Sequence, residues 1–233
     1  MAKASRTPGR PRSGGEGEGN AVGKDALIDA TIDLLRTTPP SAITPIAVAR
    51  ATGVHPSLIR YYFKNRARLL VAAAERMMSR LSARVEQAAA DSDGSPRSRL
   101  FARIAAIIEL NDSFPNFHQL MVNEMGESSD PAARALISQA TFNGTTAYGR
   151  ILSAGVADGT FRDLDPAMLY TVIVGMAEFL PAARHQLEIA RGRPIDKEEL
   201  RASYTDFVCD LIMHGISASA SQRSGRKTPR PAA

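Results

Sequence analysis

From residue 24 to residue 217 the apolar positions recur at helical spacing, and no window alternates apolar and polar residues long enough to suggest a sheet. In "KDALIDATIDLLRTT", from Lys24, the side chains of Leu27, Ile28, Ile32, Leu34 and Leu35 fall largely on one helix face, and Pro39-Pro40 predicts a stop. Thr44-Pro45 reads as an N-cap followed by proline at the first helical position, with Gly53 ending that short helix. Another short helix opens at Pro56, and a long amphipathic one is predicted over 66–90, closed by "DSDGSP". Further helices are predicted over about 98–111, after Pro115 ("NFHQLMVNEMG"), from Asp130-Pro131 to near Gly159, from Asp165-Pro166 to about 190, and over about 196–217. The expectation is an all-α chain of nine helices, three of them short and early, with no internal repeat.

The two ends have another character. Residues 1–21 and 219–233 are rich in Gly, Pro, Ser and Arg and lack apolar residues to bury, which predicts disordered basic arms. Charge is distributed unevenly: residues 1–90 hold 14 Lys/Arg against 7 Asp/Glu, whereas 91–218 hold 11 against 17. A basic first third joined to an acidic remainder suggests a polyanion-binding module fused to something else. No uninterrupted apolar run of membrane-spanning length is evident, and the N-terminus lacks the apolar core of a secretory signal. Cys209, alone in the sequence, excludes an internal disulfide and fits a reducing cytoplasm. Without secretion, the glycosylation spelling Asn143-Gly144-Thr145 means nothing.

The short early helices carry the functional signal. Two helices that cross closely need a small residue in the first, a glycine-like turn, and apolar anchors in the second. Ala49, Gly53, and Val54 with Ile59 meet those needs, and Ile46 and Phe63 are expected to complete the apolar side. The second helix then exposes Ser57, Arg60, Tyr61 and Tyr62 (short polar groups, an arginine and phenols), which suits the major groove of DNA.

The stretch "ITPIAVARATGVHPSLIRYYFKNRARLL", from Ile43, resembles the DNA-binding signature of the TetR family of transcriptional regulators. The resemblance is good over residues 24–70, and "DGTFRDLDPAML", from Asp158, resembles a junction between the last helices of such proteins. It implies a helix-turn-helix domain over 22–66 and a ligand-binding and dimerisation domain over 67–218. By position, Thr44, Tyr61, Tyr62 and Arg66 would hold phosphates, while Pro56, Ser57, Leu58 and Arg60 would face base edges. His55 and Lys64 complete the implied DNA-contacting set. Two departures stand out: His55 occupies a capping position that is commonly Ser, and Arg66 one that is commonly Lys. Tyr62 has a second reading, as packing against the first helix, and Arg60 divides between base and phosphate. The Gly-Arg-Pro run near Arg10 resembles a minor-groove arm, with incidental arginines as the alternative.

The implied partners are a near-palindromic double-stranded DNA, a second copy of the chain through the last two helices, and a small-molecule effector. Those two helices, around "LYTVIVGMAEFLPAA" and "YTDFVCDLIMHGI", are apolar over more than one face. Polar or adaptable residues on otherwise apolar helices are the pocket candidates: Asn111, His118, Met121, Asn123, Asn143, Tyr148, Glu178 and His185. Each has a plainer reading as a core or surface residue. Glu178 interests most, being a carboxylate inside a long apolar run. No metal-binding spacing, phosphate-binding glycine loop or nucleophile cluster is present, so neither a cofactor nor catalysis is expected. A ligand-independent, architectural DNA-binding protein remains the alternative.

Overall fold

A computed structural model describes residues 23–217; the two basic arms, with the candidate minor-groove run, lie outside the described residues. Among the described residues the fold is all-α, with nine α-helices and a single isolated bridge between Phe161 and Ser217. They are α1 (Lys24–Leu34), α2 (Pro45–Thr52), α3 (Pro56–Phe63), α4 (Arg66–Ala90), α5 (Pro96–Ser113), α6 (Phe117–Gln119), α7 (Pro131–Asp158), α8 (Pro166–Arg191) and α9 (Lys197–Ile216). Local chemistry sets most ends. Side chains of Asn65, Ser95, Asp130, Asp165 and Asp196 accept from backbone N–H groups in the first turns of α4, α5, α7, α8 and α9, satisfying donors that have no partner within the helix. Gly159 and Gly192 close α7 and α8 in the left-handed conformation.

The sixth helix differs from its expectation. After one turn of α6 the chain widens into a π-helix, Leu120–Gly126. Its inward residues are Leu120, Met121 and Met125. Such wide turns are rare and occur often at functional sites.

Two hydrophobic cores result. The first unites α1, α2, α3 and the first half of α4 with Phe117, Leu120, Met121, Met125 and Ala133. The second joins α5, α7, α8 and α9 through residues such as Ile104, Tyr148, Ile173 and Ile212. α4 spans the boundary expected between residues 66 and 67, and its first half contributes Leu69, Leu70 and Met77 to the first core. Ile46 departs from its expected inward place: it is 61% exposed. It lies about 200° around α2 from Val48, and Val48 is the buried residue there.

By length and mean hydropathy (1.4), α8 reaches the composition of a membrane-crossing helix. It nonetheless buries Leu169, Ile173, Ala177 and Leu180 in the second core, and a carboxylate oxygen of its Glu178 lies 2.8 Å from His118 Nδ1. The α7–α8 junction is tied to the end of α9 by Arg162, whose N–H and Nε donate to the carbonyls of Ile216 and Gly215, both at 2.8 Å. Its Phe161 ring is fully buried against Gly155. A Cβ at Gly155 would run into that ring, so Gly155→Ala is expected to destabilise the protein by roughly 1–3 kcal/mol in urea unfolding, as overpacking does.

Candidate nucleic-acid interface and small-molecule pocket

The α2–α3 unit is built from the turn outward. Gly53 adopts φ 68°, a backbone region that costs other residues energy, and the Val54 N–H donates to Ala49 O at 3.0 Å. Ala49, Ile59 and Phe63 are buried and Val54 packs against them, so α3 is anchored by one face. The other face is presented to solvent. His55, Ser57, Arg60 and Lys64 are exposed, Pro56 and Leu58 are half-buried, and Tyr61 is 79% exposed. Tyr62 is half-buried against the first core, with Tyr61 edge-on at 5.2 Å.

His55 does the work of the serine it replaces. Its Nδ1 accepts from the Ser57 backbone N–H at 3.3 Å and lies 2.8 Å from the Ser57 hydroxyl. The imidazole is therefore a helix cap. Thr44 caps α2 in the same way, accepting from the Ala47 N–H at 3.1 Å. At the far end of α3, Lys64 sits at φ 61°, a strained region for a side chain of this kind.

The charges sort themselves by helix. The arginines of α4 are spoken for: Arg68 pairs with Asp130, Arg76 with Asp25 and Asp29, Arg80 with Asp29, and Arg84 with Glu109. Among the described residues, Arg50, Arg60 and Lys64 form no ion pair, and all three are exposed. Among the described residues of the first third, the unpaired positive charge thus gathers on α2, α3 and the turn after it, with Lys24 of α1 over the Phe63 ring.

Arg66, expected on phosphate, makes its contacts within the protein here. Its guanidinium grips Glu124 with two parallel bonds of 2.7 and 2.8 Å. It also donates to the carbonyls of Ile43, at 2.8 Å, and Pro40, at 2.5 Å. The planar fork is committed inside the protein, joining the start of α4, the lead into α2 and the π-helix.

The pocket candidates mostly converge. A cleft of about 710 Å³ between α4, α5, α7, α8 and the π-helix is lined by Asn111, His118, Met121, Asn143 and Glu178. Tyr148 is fully buried behind that wall, touching Tyr170, which does line it. Asn123 and His185 are exposed elsewhere. His118 Nδ1 lies 2.8 Å from a Glu178 carboxylate oxygen. Leu81, Ile107, Leu110 and Ile137 supply apolar wall. Sequence reading missed Arg103 and Tyr170, both in the lining. The signal for Arg103 was present in "LFARIAAII", from Leu100, where one cation interrupts an apolar run as Glu178 does on α8. Burial pushes the Tyr170 hydroxyl above its ordinary value, with the Glu178 charge adding to the effect. Cys209 lies outside this cleft, and burial pushes its thiol up to about 11, which keeps it protonated and inert.

Residues 93–222 match the family described as Tetracyclin repressor-like, C-terminal domain. With the helix-turn-helix before it, the chain belongs to the TetR family of transcriptional regulators. The ketosteroid transcriptional regulator KstR2 of Mycobacterium tuberculosis superposes with a TM-score of 0.62 at 17% identity, over 89% of this chain and 100% of that one. A Rhodococcus TetR-family regulator superposes at 0.63 with 22% identity, over 82% and 98%. A Saccharomonospora viridis regulator in complex with choline gives 0.59 at 18% identity, over 84% and 98%. At these identities the likeness shows the fold. No curated protein sequence matches significantly.

Because the guanidinium fork at residue 66 makes four bonds to three separate places, Arg66→Lys is expected to cost about 1.5–3 kcal/mol. In a double-mutant cycle with Glu124→Gln, the pair should show a coupling above roughly 0.5 kcal/mol, measured by chemical unfolding.

Proposed function

We propose that this chain is a dimeric, sequence-specific DNA-binding repressor, acting in the cytoplasm and released from its operator by a small molecule bound in the 710 Å³ cleft. The observation that carries the reading is the charge sorting around α3. Its cations stay free and exposed beside Ser57 and Tyr61 while those of α4 are neutralised within the protein. In this reading Pro56, Ser57, Leu58 and Arg60 approach base edges, and Thr44, His55, Tyr61 and Lys64 position the phosphate backbone. Arg66 and Tyr62 support the unit from behind.

One recognition helix reads too few bases to be specific, so two copies would span half-sites about 34 Å apart on a near-palindrome. The surface for pairing is on α8 and α9. Met168, Val172 and Phe179 are exposed, with Gly175 on the same stripe having open space above it, and Phe207 and Leu211 are exposed on α9. An apolar patch of that kind marks an interface.

Release follows from what the cleft touches. Phe117, His118, Met121 and Val122 belong to the segment of α6 and the π-helix whose Glu124 holds Arg66. A molecule that displaces this segment pulls on the start of α4 and on the lead into α2, altering the separation of the two reading heads. Coupling of this kind is typically 1–3 kcal/mol. The Saccharomonospora relative in complex with choline supports small-molecule occupancy of this fold.

Footprinting upstream of the chain's own gene tests the first part. Wild type should protect a near-palindrome, and Arg60→Ala should lose roughly 1–3 kcal/mol of discrimination there; equal protection by both proteins would refute the role of α3. Sedimentation tests the second: the wild-type chain should run as a dimer and Phe179→Asp as a monomer.

A further inference from the structure

The cleft has an electrical polarity. Tyr170 and Glu178 are separated by about 12 Å along α8, and both line it. Near Tyr170 lies Arg103, whose guanidinium stands 5.1 Å from the centre of the Tyr148 ring, itself 6.1 Å from that of Tyr170. Near the other end, Glu178 is held by His118 at 2.8 Å. The carboxylate therefore has a partner of its own. Arg103 does not: among the described residues it forms no ion pair, and its Nε is buried with no hydrogen-bond partner. The neighbouring Tyr148 hydroxyl is buried too, with Arg103 as the cation beside it.

A half-buried guanidinium in a cleft that Ile107 and Leu110 also line, with no counter-charge of its own, loses hydration that no partner offsets. Most other buried polar groups here are satisfied, so each exception calls for an explanation. A cationic ligand would meet Arg103 as a like charge and would have to displace His118 from Glu178. A neutral one would leave the guanidinium as it stands. A carboxylate supplies the counter-charge, and its planar pair of oxygens matches the fork.

We infer that the cleft is built for an apolar molecule bearing a single carboxylate, with the head group on Arg103 beside Tyr170 and the apolar body running toward Met121 and the His118–Glu178 pair. The inference rests on the reading of the cleft as the effector site and names the class of effector. A hydroxyl or carbonyl at the tail end would find hydrogen-bonding partners in His118, Asn111 and Asn143.

Calorimetric titration of the full-length chain with decanoate, dodecanoate and the tricyclic acid abietate, each below its aggregation concentration, tests this against decanol, dodecanol and decyltrimethylammonium. At least one acid should bind roughly ten- to a hundredfold more tightly than its uncharged counterpart, the range a charged hydrogen-bonded contact supplies. Arg103→Gln should abolish that preference, and Arg103→Lys should keep part of it. Unchanged DNA binding by the ligand-free variants would show that they fold. Acids that bind no better than the alcohols, that fail to bind at all, or that bind Arg103→Gln equally well would overturn the inference. The effector-site reading is judged separately. If an alcohol or the ammonium binds and weakens DNA binding, that reading survives while the acid class falls. If acids bind with the predicted preference and DNA affinity does not change, the acid site stands and the effector role falls.

Discussion

The grip of Arg66 on Glu124 is the interaction on which the rest of the molecule's organisation depends. A guanidinium can satisfy several acceptors in one plane, and here it joins two backbone carbonyls of the lead into α2, at Pro40 and Ile43, to the Glu124 carboxylate of the π-helix. A lysine, with one rotatable ammonium, could not hold all of these at once. Each side chain of the pair is roughly one-fifth to one-third exposed, so the bonds form in an environment less polar than water, where they count for more and where losing either partner strands the other. The first core closes around the same junction, with Leu69 and Leu70 of α4 packed among residues of α1 and Met125 of the π-helix.

That arrangement gives the protein two ends of contrasting construction. Around α3, the anchoring face is dry and the outer face is left with unpaired cations and a highly exposed tyrosine. Around the cleft, polar groups such as Arg103, Asn111, His118 and Glu178 share the lining with apolar walls. The π-helix belongs to both, since Met121 and Val122 line the cleft while Glu124 reaches α4. A regular α-helix turns 100° per residue and repeats its faces every three to four positions; the wider turn changes which side chains share a face, and it does so in a segment that, like α4, touches both ends.

Cap chemistry made the helix boundaries legible. The Asp-Pro pairs at 130 and 165 and the glycines at 159 and 192 act locally, through hydrogen bonds to adjacent N–H groups and backbone conformations that glycine alone adopts without cost. The helix-turn-helix was legible for a similar reason, because Ala49, Gly53 and Ile59 meet requirements set within a dozen residues. Polar residues inside apolar runs pointed to most of the cleft lining. Arg103 carried the same mark and was passed over in favour of uncharged and acidic residues.

The sequence by itself determined the all-α class, the order of helices, the caps and the α2–α3 turn, since each depends on contacts between near neighbours in the chain. Tertiary structure alone decided the rest. Whether an arginine is free or paired is settled by acidic residues brought from far along the chain, as with Arg66 and Glu124 or Arg68 and Asp130, and spacing cannot announce that. The π-helix was hidden as well: its Glu124 meets Arg66, 58 residues earlier in the chain. So was the separation of Tyr148 from Tyr170: both are aromatic residues on apolar helices, and the packing of α7 against α8 set one behind the wall and the other in it.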